Sequence, residues 1–157
     1  MSKPGIVFSA KRCIQCHACE MACISSRKLE RGVKWRRVNN IWNGEYPDIT
    51  CSTESVSCMH CDAPACAEAC PAGAIIKRSD DGLVCVDRAL CTGCRECSAA
   101  CPVGAPQFGS DGVMQKCDLC AFDTREIFSV PPCVMACPTQ ALEHANGISS
   151  GIVRQRE

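Results

Sequence analysis

The stretch CTGCRECSAACP, residues 91–102, places four cysteines within eleven residues and ends on a proline. Three further groups of four cysteines occur, and the four groups together contain all 18 cysteines of the chain except Cys51 and Cys85. Thiolates at such short spacing can bind a metal ion or an iron–sulfur cluster, or they can form disulfides. In chain order the groups are Cys13, Cys16, Cys19 and Cys23 (group one); Cys58, Cys61, Cys66 and Cys70 (group two); Cys91, Cys94, Cys97 and Cys101 (group three); and Cys117, Cys120, Cys133 and Cys137 (group four).

The spacing within the groups distinguishes these possibilities. Groups one and three read C-x2-C-x2-C-x3-C, whereas group two widens the second gap to four residues and group four widens it to twelve. This is the bacterial ferredoxin pattern, in which three close thiolates bind one [4Fe–4S] cluster and the fourth cysteine binds the other cluster of a pair. Zinc needs only two C-x2-C pairs, so the third cysteine and the x3 spacing favour iron–sulfur clusters.

The composition agrees with a core built around bound clusters. Once cysteine is left out, roughly a third of the chain is apolar, which is below the usual share. A small domain with so few apolar residues usually needs disulfides or bound metal to be stable. The N-terminal stretch MSKPGIVFSAKRC shows no signal peptide and no twin-arginine pair, and the 157-residue sequence has no run of 18 apolar residues. We therefore expect a cytoplasmic protein without a membrane span, in a reducing compartment that argues against disulfides.

The segments that flank the groups predict how they pair. Residues 74–77 and 83–86 read as two short strands joined by a turn at residues 80–82, which unites groups two and three. GIVFSAKRC before Cys13 resembles GLVCVDRALC before Cys91, and PTQALEH after group four resembles PAGAIIK after group two. We therefore expect the N-terminal strand to pair with the strand after group four. The predicted fold is α+β, with two bacterial-ferredoxin-like 2[4Fe–4S] units: an inner unit (51–105) inserted into an outer unit (1–50 and 106–157) that both chain ends close.

The residues outside the groups predict no further ligands. Cys85 alternates within a strand and reads as a small buried residue, and Cys51 is expected to be a non-ligand because every group is already complete. His17 and His60 lie between cysteines. In a Rieske centre two histidines replace two of the cysteine ligands, but here every group already has four cysteines, so neither histidine is expected to be a ligand.

Charge and missing motifs narrow the function. Residues 27–37, RKLERGVKWRR, hold six basic side chains and one acid, and we interpret them either as a solvated strand edge or as compensation for cluster charge or a partner contact. Sixteen thiolates on four oxidised cores would bring the neutral chain to about −8. The sequence lacks a basic patch interleaved with aromatic residues, so nucleic-acid binding is not expected. It also lacks a G-x-G-x-x-G motif and a nucleophile–base set, so we expect a non-enzymatic protein.

Several longer motifs carry a resemblance to a known family. They occur in the order CIQCHACEMAC, GVKWRRV, EYPDI, CMHCDAPACAEACPAGAI, CTGCRECSAACPVGAPQF, KCDLC and PPCVMACPTQAL. The chain resembles the four-cluster iron–sulfur subunits of the dimethyl sulfoxide reductase type, which serve molybdenum- or tungsten-pterin enzymes such as formate dehydrogenases. Similar small subunits accompany tungsten aldehyde oxidoreductases and some hydrogenase–formate assemblies.

The resemblance implies four [4Fe–4S] clusters with nested ligand sets. Set one is Cys13, Cys16, Cys19 and Cys137; set two is Cys58, Cys61, Cys66 and Cys101; set three is Cys91, Cys94, Cys97 and Cys70; set four is Cys117, Cys120, Cys133 and Cys23. Some relatives lose one cysteine of group three and carry a three-iron cluster, but Cys94 is present here. The chain departs from the pattern at Ile24, where proline is missing after group one, and at Glu157, where it stops without the longer extension of many relatives. We therefore do not expect a membrane-anchor partner.

The functional expectation is a relay that passes single electrons between a large pterin-type catalytic subunit and a second redox partner. That partner would be an NAD(P)H/flavin or ferredoxin-linked subunit, a hydrogenase subunit, or another copy of the chain, the last giving an oligomer or filament through the tail NGISSGIVRQRE. Two alternatives remain at this point. They are a free soluble polyferredoxin shuttle and a zinc-stapled interaction module.

Overall fold

The fold, taken from a computed structural model that describes residues 4–121 and 130–146, is a series of short helices and strands joined by cysteine-bearing loops. The helices are α1 (Ala18–Arg27), α2 (Ala65–Glu68), α3 (Glu96–Ala100) and α4 (Pro132–Met135), and a 3₁₀ turn spans Ala10–Arg12. The strands are β1 (Pro4–Phe8), β2 (Arg37–Asn43), β3 (Thr50–Val56), β4 (Ile75–Lys77), β5 (Val84–Val86), β6 (Gln107–Phe108), β7 (Met114–Gln115) and β8 (Leu142–Asn146). The predicted α+β content is confirmed. The C-terminal tail to which self-association was assigned lies outside the described residues.

Strands from the two ends of the described chain pair with each other. β1 runs antiparallel to β8, with Pro4 opposite Asn146 and Phe8 opposite Leu142. Phe8 and Leu142 are 2% and 3% exposed, and they pack in one core with Cys19 and Cys133. The predicted pairing of the N-terminal strand with the strand after group four is therefore confirmed. Apolar side chains on both strands cover the first and fourth cysteine groups.

The predicted hairpin between groups two and three is also confirmed. β4 and β5 are antiparallel, with Ile75 opposite Val86, and each begins one residue later than predicted. The turn is held by the Asp81 carboxylate, which accepts the Leu83 N–H at 3.0 Å. Gly82 has a φ of 71°, a left-handed conformation that glycine adopts without steric cost.

Two further hairpins were not predicted from the sequence. β2 and β3 pair over seven residues each, and the hairpin exposes Trp42 (68%) and Tyr46 (90%). β6 and β7 form a small antiparallel pair that places Phe108 opposite Met114. The β2–β3 hairpin escaped prediction because the inward face of β3 is polar: Thr53 and Ser55 are buried.

The core is divided into small clusters in which cysteines take the place of larger apolar side chains. One cluster surrounds Phe8 and Leu142, a second surrounds Val84 and Met114, and a third surrounds Leu83. Each contains cysteines of at least two groups, so the four groups line the interior as the composition indicated. In the described ranges no helix is long and apolar enough to cross a membrane.

Candidate metal centres

The four cysteine groups share one backbone feature. The second residue after the first cysteine has a positive φ in each of them, and these residues are Gln15 (59°), His60 (48°), Gly93 (71°) and Leu119 (54°). A left-handed residue at this point reverses the path of the chain, so that successive cysteines face the same side. Three of the four are not glycine, and a non-glycine residue held in this conformation costs about 1–3 kcal/mol, a strain that clusters at ligand-binding sites.

Groups one and three repeat this geometry most closely. Four residues after the first cysteine, His17 (φ 58°) and Arg95 (φ 69°) are again left-handed, and each forms the N-terminal cap of the following helix, α1 or α3. The third cysteines, Cys19 and Cys97, lie on those helices and are buried. Equal spacing in the sequence is thus translated into equal backbone turns.

The inner groups form two cavities, each lined by cysteines of both groups. The first cavity contains all of set two, together with Met59, Pro102 and Lys116. The second contains all of set three, together with Phe108 and Met114. In each cavity the fourth cysteine of one group, Cys101 or Cys70, therefore lies with three cysteines of the other group.

The thiols in these cavities influence one another. Burial and the neighbouring thiols of Cys94, Cys66, Cys70 and Cys91 raise the pKa of Cys97 to about 11. The pKa of Cys66 is raised by burial first and then by other cysteine thiols. These are Cys58, Cys101 and Cys61, the three other members of set two.

The outer groups exchange their last cysteines in the same way. Burial raises the pKa of Cys23 strongly, and the thiols of Cys117, Cys133 and Cys120 raise it further, although Cys23 belongs to group one. Cys137, the last cysteine of group four, packs in the same core as Cys13 and Cys19. Cys16 is exposed.

Backbone amides are aimed at the sulfur atoms of the exchanged cysteines. The Ala105 N–H donates to Cys101 Sγ at 3.3 Å, and the Ala141 N–H donates to Cys137 Sγ at 3.2 Å. Both donors lie four residues after the cysteine, beyond the proline that ends the helix. Burial alone would raise the pKa of Cys137, but the backbone N–H groups of Leu142, Ala141 and Thr139 and the Thr139 hydroxyl lower it. The protein therefore favours a thiolate at this position.

Contacts between sets arrange the four sets in a row. Cys133 of set four packs in one core cluster with Cys19 of set one, and Cys117 of set four packs in another with Cys58 of set two. At the other side, Cys66 of set two packs in a third cluster with Cys97 of set three. The order in space is therefore one, four, two, three.

Two buried cations accompany this row. Arg36 is 2% exposed and donates to the hydroxyls of Ser55 and Ser57, both at 2.9 Å. Burial alone would lower the pKa of Arg36, but the thiols of Cys133, Cys117 and Cys19 raise it above its ordinary value. The basic segment 27–37 is therefore not a solvated edge throughout: Arg31 is exposed, whereas Arg36 supplies charge among the cysteines.

The second cation, Lys116, was not recognised from the sequence. It is 5% exposed, and its Nζ donates to the carbonyl oxygens of Val84 and Cys117. A lysine immediately before a cysteine reads as a surface residue, and only the fold places it between groups two and four. Ser55 on β3 and Ser57 just beyond its end are also buried, and they were missed for the same reason.

An acidic residue fastens α1 to the β2–β3 hairpin. Glu20, 4% exposed, accepts the Val38 N–H at 2.5 Å through Oε1. Its Oε2 contacts His17 at 3.1 Å and Lys34 Nζ at 3.2 Å. Burial alone would raise the pKa of Glu20, but these donors hold it below its ordinary value. His17 therefore has a structural partner beside the cysteines of group one.

The remaining singled-out residues also have structural contacts. His60 is 1% exposed, and its Nδ1 accepts the Val84 N–H at 3.0 Å, which ties group two to β5. Cys85 packs beside Leu83 in the third core cluster. Cys51, on β3, accepts a hydrogen bond from the Gln15 amide at 3.4 Å. The assignment of Cys51 and Cys85 as non-ligands stays a prediction.

The donors present fit iron–sulfur clusters. All 18 cysteines are free thiols, and the two inner sets each line a cavity rather than a single point. The buried Nε of Arg36 lacks a hydrogen-bond partner within the described residues, which suits a site where a further acceptor binds.

This fold and its cysteine sets define an iron–sulfur protein that carries four [4Fe–4S] clusters. Residues 49–146 match the model of the 4Fe-4S dicluster domain, and the protein belongs to this family. It is 39% identical over 148 residues to a subunit of the anaerobic dimethyl sulfoxide reductase of Escherichia coli K12, covering 88% of this chain and 71% of the relative. It is 38% identical over 168 residues to the formate dehydrogenase iron-sulfur subunit of Wolinella succinogenes, covering 92% and 82% of the two proteins.

Proposed function

We propose that this chain is the electron-relay subunit of a molybdenum- or tungsten-pterin oxidoreductase, and that electrons cross it in the order one, four, two, three. The observation that carries the proposal is the row of contacting cysteine sets. The ends of the row are also its accessible points. Of the 18 cysteines, Cys16 of set one and Cys94 of set three are exposed, and the other sixteen are buried or partly buried.

The ligands of each cluster are proposed to be the sets given above. The two inner cavities support sets two and three, and the position of Cys23 among group-four thiols supports set four. The packing of Cys137 with Cys13 and Cys19 supports set one. Together with the β1–β8 and β4–β5 pairs, these contacts support an outer unit (1–50 and 106–157) that encloses an inner unit (51–105).

The residues of the chain position and insulate the clusters rather than perform bond chemistry. When bound, a [4Fe–4S] cluster accepts and returns one electron at a time. The backbone N–H groups of Ala105 and Ala141 donate to ligand sulfurs, and Phe8, Met114 and Leu83 exclude water from the interior. Hydrogen bonds to sulfur and burial are the means by which a protein adjusts a cluster potential.

The proposed partners follow from the two accessible ends. One end would meet a pterin-type catalytic subunit, and the other a flavin, ferredoxin-linked or hydrogenase subunit. Two relatives support this assignment, because their names place one in an anaerobic dimethyl sulfoxide reductase and describe the other as the iron-sulfur subunit of a formate dehydrogenase.

The experiment interrupts the row in its middle. In the native assembly, Cys117→Ser should remove cluster four and abolish electron transfer between the two partners. The other three clusters should remain reducible by dithionite, as monitored by electron paramagnetic resonance. Cys85→Ala is the matched control and should transfer electrons at the wild-type rate. Purification of the chain alone, fully active and without a catalytic partner, would instead favour a free shuttle.

A further inference from the structure

Two cationic side chains are buried in the protein interior, where a charge without a counter-charge lowers stability. Arg36 and Lys116 are 2% and 5% exposed. The effective penalty for burying an ion is several kcal/mol unless hydrogen bonds and opposite charge compensate it. Neither residue forms a salt bridge with a carboxylate in the described part of the chain.

The surroundings of Arg36 indicate which negative charge it matches. Ser55 and Ser57 are neutral acceptors that fix the orientation of its guanidinium group. Its guanidinium also interacts electrostatically with the thiols of Cys133 and Cys117, which belong to set four, and of Cys19, which belongs to set one. The guanidinium therefore stands at the junction of these two sets.

Lys116 occupies the next junction along the row. The two carbonyl oxygens that accept from its Nζ satisfy its hydrogen bonds without neutralising its charge. Its side chain lines the cavity of set two, and its charge acts on the thiol of Cys66. Its backbone directly precedes Cys117 of set four.

We propose that Arg36 and Lys116 are fixed cations that raise the reduction potentials of the clusters on either side of them. Arg36 acts on clusters one and four, and Lys116 acts on clusters four and two. Reduction adds one negative charge to a cluster, and a positive charge close by in a poorly polarisable interior stabilises the reduced form. Both are positioning residues, and the inference rests on the ligand sets of the proposed function.

The test is a redox titration of the full chain, purified without oxygen and monitored by electron paramagnetic resonance. Arg36→Gln should lower two of the four potentials, with at least about a tenfold fall in the ratio of reduced to oxidised cluster at a fixed poise, equivalent to about 59 mV. Lys116→Gln should also lower two of the four potentials, and no more than one of them should be a potential that Arg36→Gln lowers. Arg31→Gln, which removes an exposed positive charge from the same segment, is the control and should change no ratio by more than about twofold.

Two further variants separate charge from structure. Arg36→Lys keeps the charge but loses the paired serine contacts, and the double variant Ser55→Ala/Ser57→Ala removes those contacts while the guanidinium stays. Both should melt at a lower temperature than the wild type, with every ratio of reduced to oxidised cluster within about twofold of it.

The proposal is overturned if Arg36→Gln and Arg31→Gln give the same four potentials, or if Arg36→Lys lowers them as much as Arg36→Gln. If Arg36→Gln fails to retain clusters one and four, the potentials of Arg36→Lys and Lys116→Gln provide the test instead. Unchanged potentials in Lys116→Gln, or lowered ones in Arg36→Lys, contradict the proposal. The iron content of the wild type, measured in parallel, distinguishes failure of the proposed function from failure of this inference. A shortage of iron in the wild type refutes the ligand sets. Full iron content with unchanged potentials in the variants refutes only the effect of the two cations.

Discussion

Arg27 on α1 forms an ion pair with Asp118, which follows Cys117 of the last cysteine group, and burial and the Cys117 thiol raise the pKa of Cys23 on the same helix. This contact links the first helix of the chain to a loop that follows the whole inner region. In the ligand sets proposed above, the first helix therefore supplies cysteines to two sets, Cys19 to set one and Cys23 to set four.

Cross-ligation predicts which cluster a single substitution removes. Cys23→Ser should perturb the cluster of group four, while the cluster held by Cys13, Cys16 and Cys19 stays intact. Cys101→Ser should likewise perturb the cluster of group two rather than that of group three. Mössbauer or paramagnetic resonance spectra of the variants can identify the altered cluster. A spectrum in which Cys23→Ser alters the group-one cluster alone would exclude the nested sets.

The turn within group three depends on a glycine. Gly93 has a φ of 71°, and a Cβ there would lie 2.7 Å from the carbonyl oxygen of Gly112. Gly93→Ala should therefore distort group three and lower the iron content of the chain by one cluster. Gly112→Ala is a matched control, because Gly112 has a φ of 70° but open space around its Cβ. Equal iron content in the two variants would show that the close approach is unimportant.

The junction of the chain ends should contribute strongly to stability. Phe8 is 2% exposed, and truncating a buried phenylalanine to alanine costs about 3–5 kcal/mol of unfolding free energy. Ile76 is 56% exposed, so Ile76→Ala should change stability by less than about 0.5 kcal/mol. Anaerobic denaturation of the two variants measures both effects. A Phe8→Ala protein as stable as Ile76→Ala would contradict the β1–β8 closure.

Glu20 should act as an anchor for α1. Replacing it with alanine leaves the buried Val38 N–H without its acceptor, at a cost of about 1–3 kcal/mol. Glu54 also accepts a side-chain hydrogen bond, from Asn39, but this bond is exposed. Glu54→Ala should therefore have a much smaller effect, and thermal melting of the two variants compares them directly. Equal melting temperatures would rule out the anchoring role.

The sequence was most informative where spacing alone determines structure. The cysteine groups, the β4–β5 hairpin and the pairing of β1 with β8 all follow from local patterns or from internal repetition. Ligand assignments also follow from the resemblance, although the cavities and thiol contacts are needed to argue them from this chain.

The residues that escaped prediction are those whose environment depends on distant parts of the chain. Ser55 on β3 and Ser57 just beyond its end belong to a polar stretch, and their pattern resembles a solvent-facing edge until Arg36 is placed against them. Lys116 is buried only because β5 and group two pack over it. The left-handed conformations of Gln15 and Leu119 were missed because neither residue type favours them, and the demands of the site override the local preference.

Native mass spectrometry of the chain, purified without oxygen, counts metal and sulfide in one spectrum and so measures the number of bound clusters. We expect a mass increase of four [4Fe–4S] clusters, or about sixteen irons per chain. A mass that corresponds to about eight irons, or to stoichiometric zinc, would contradict it.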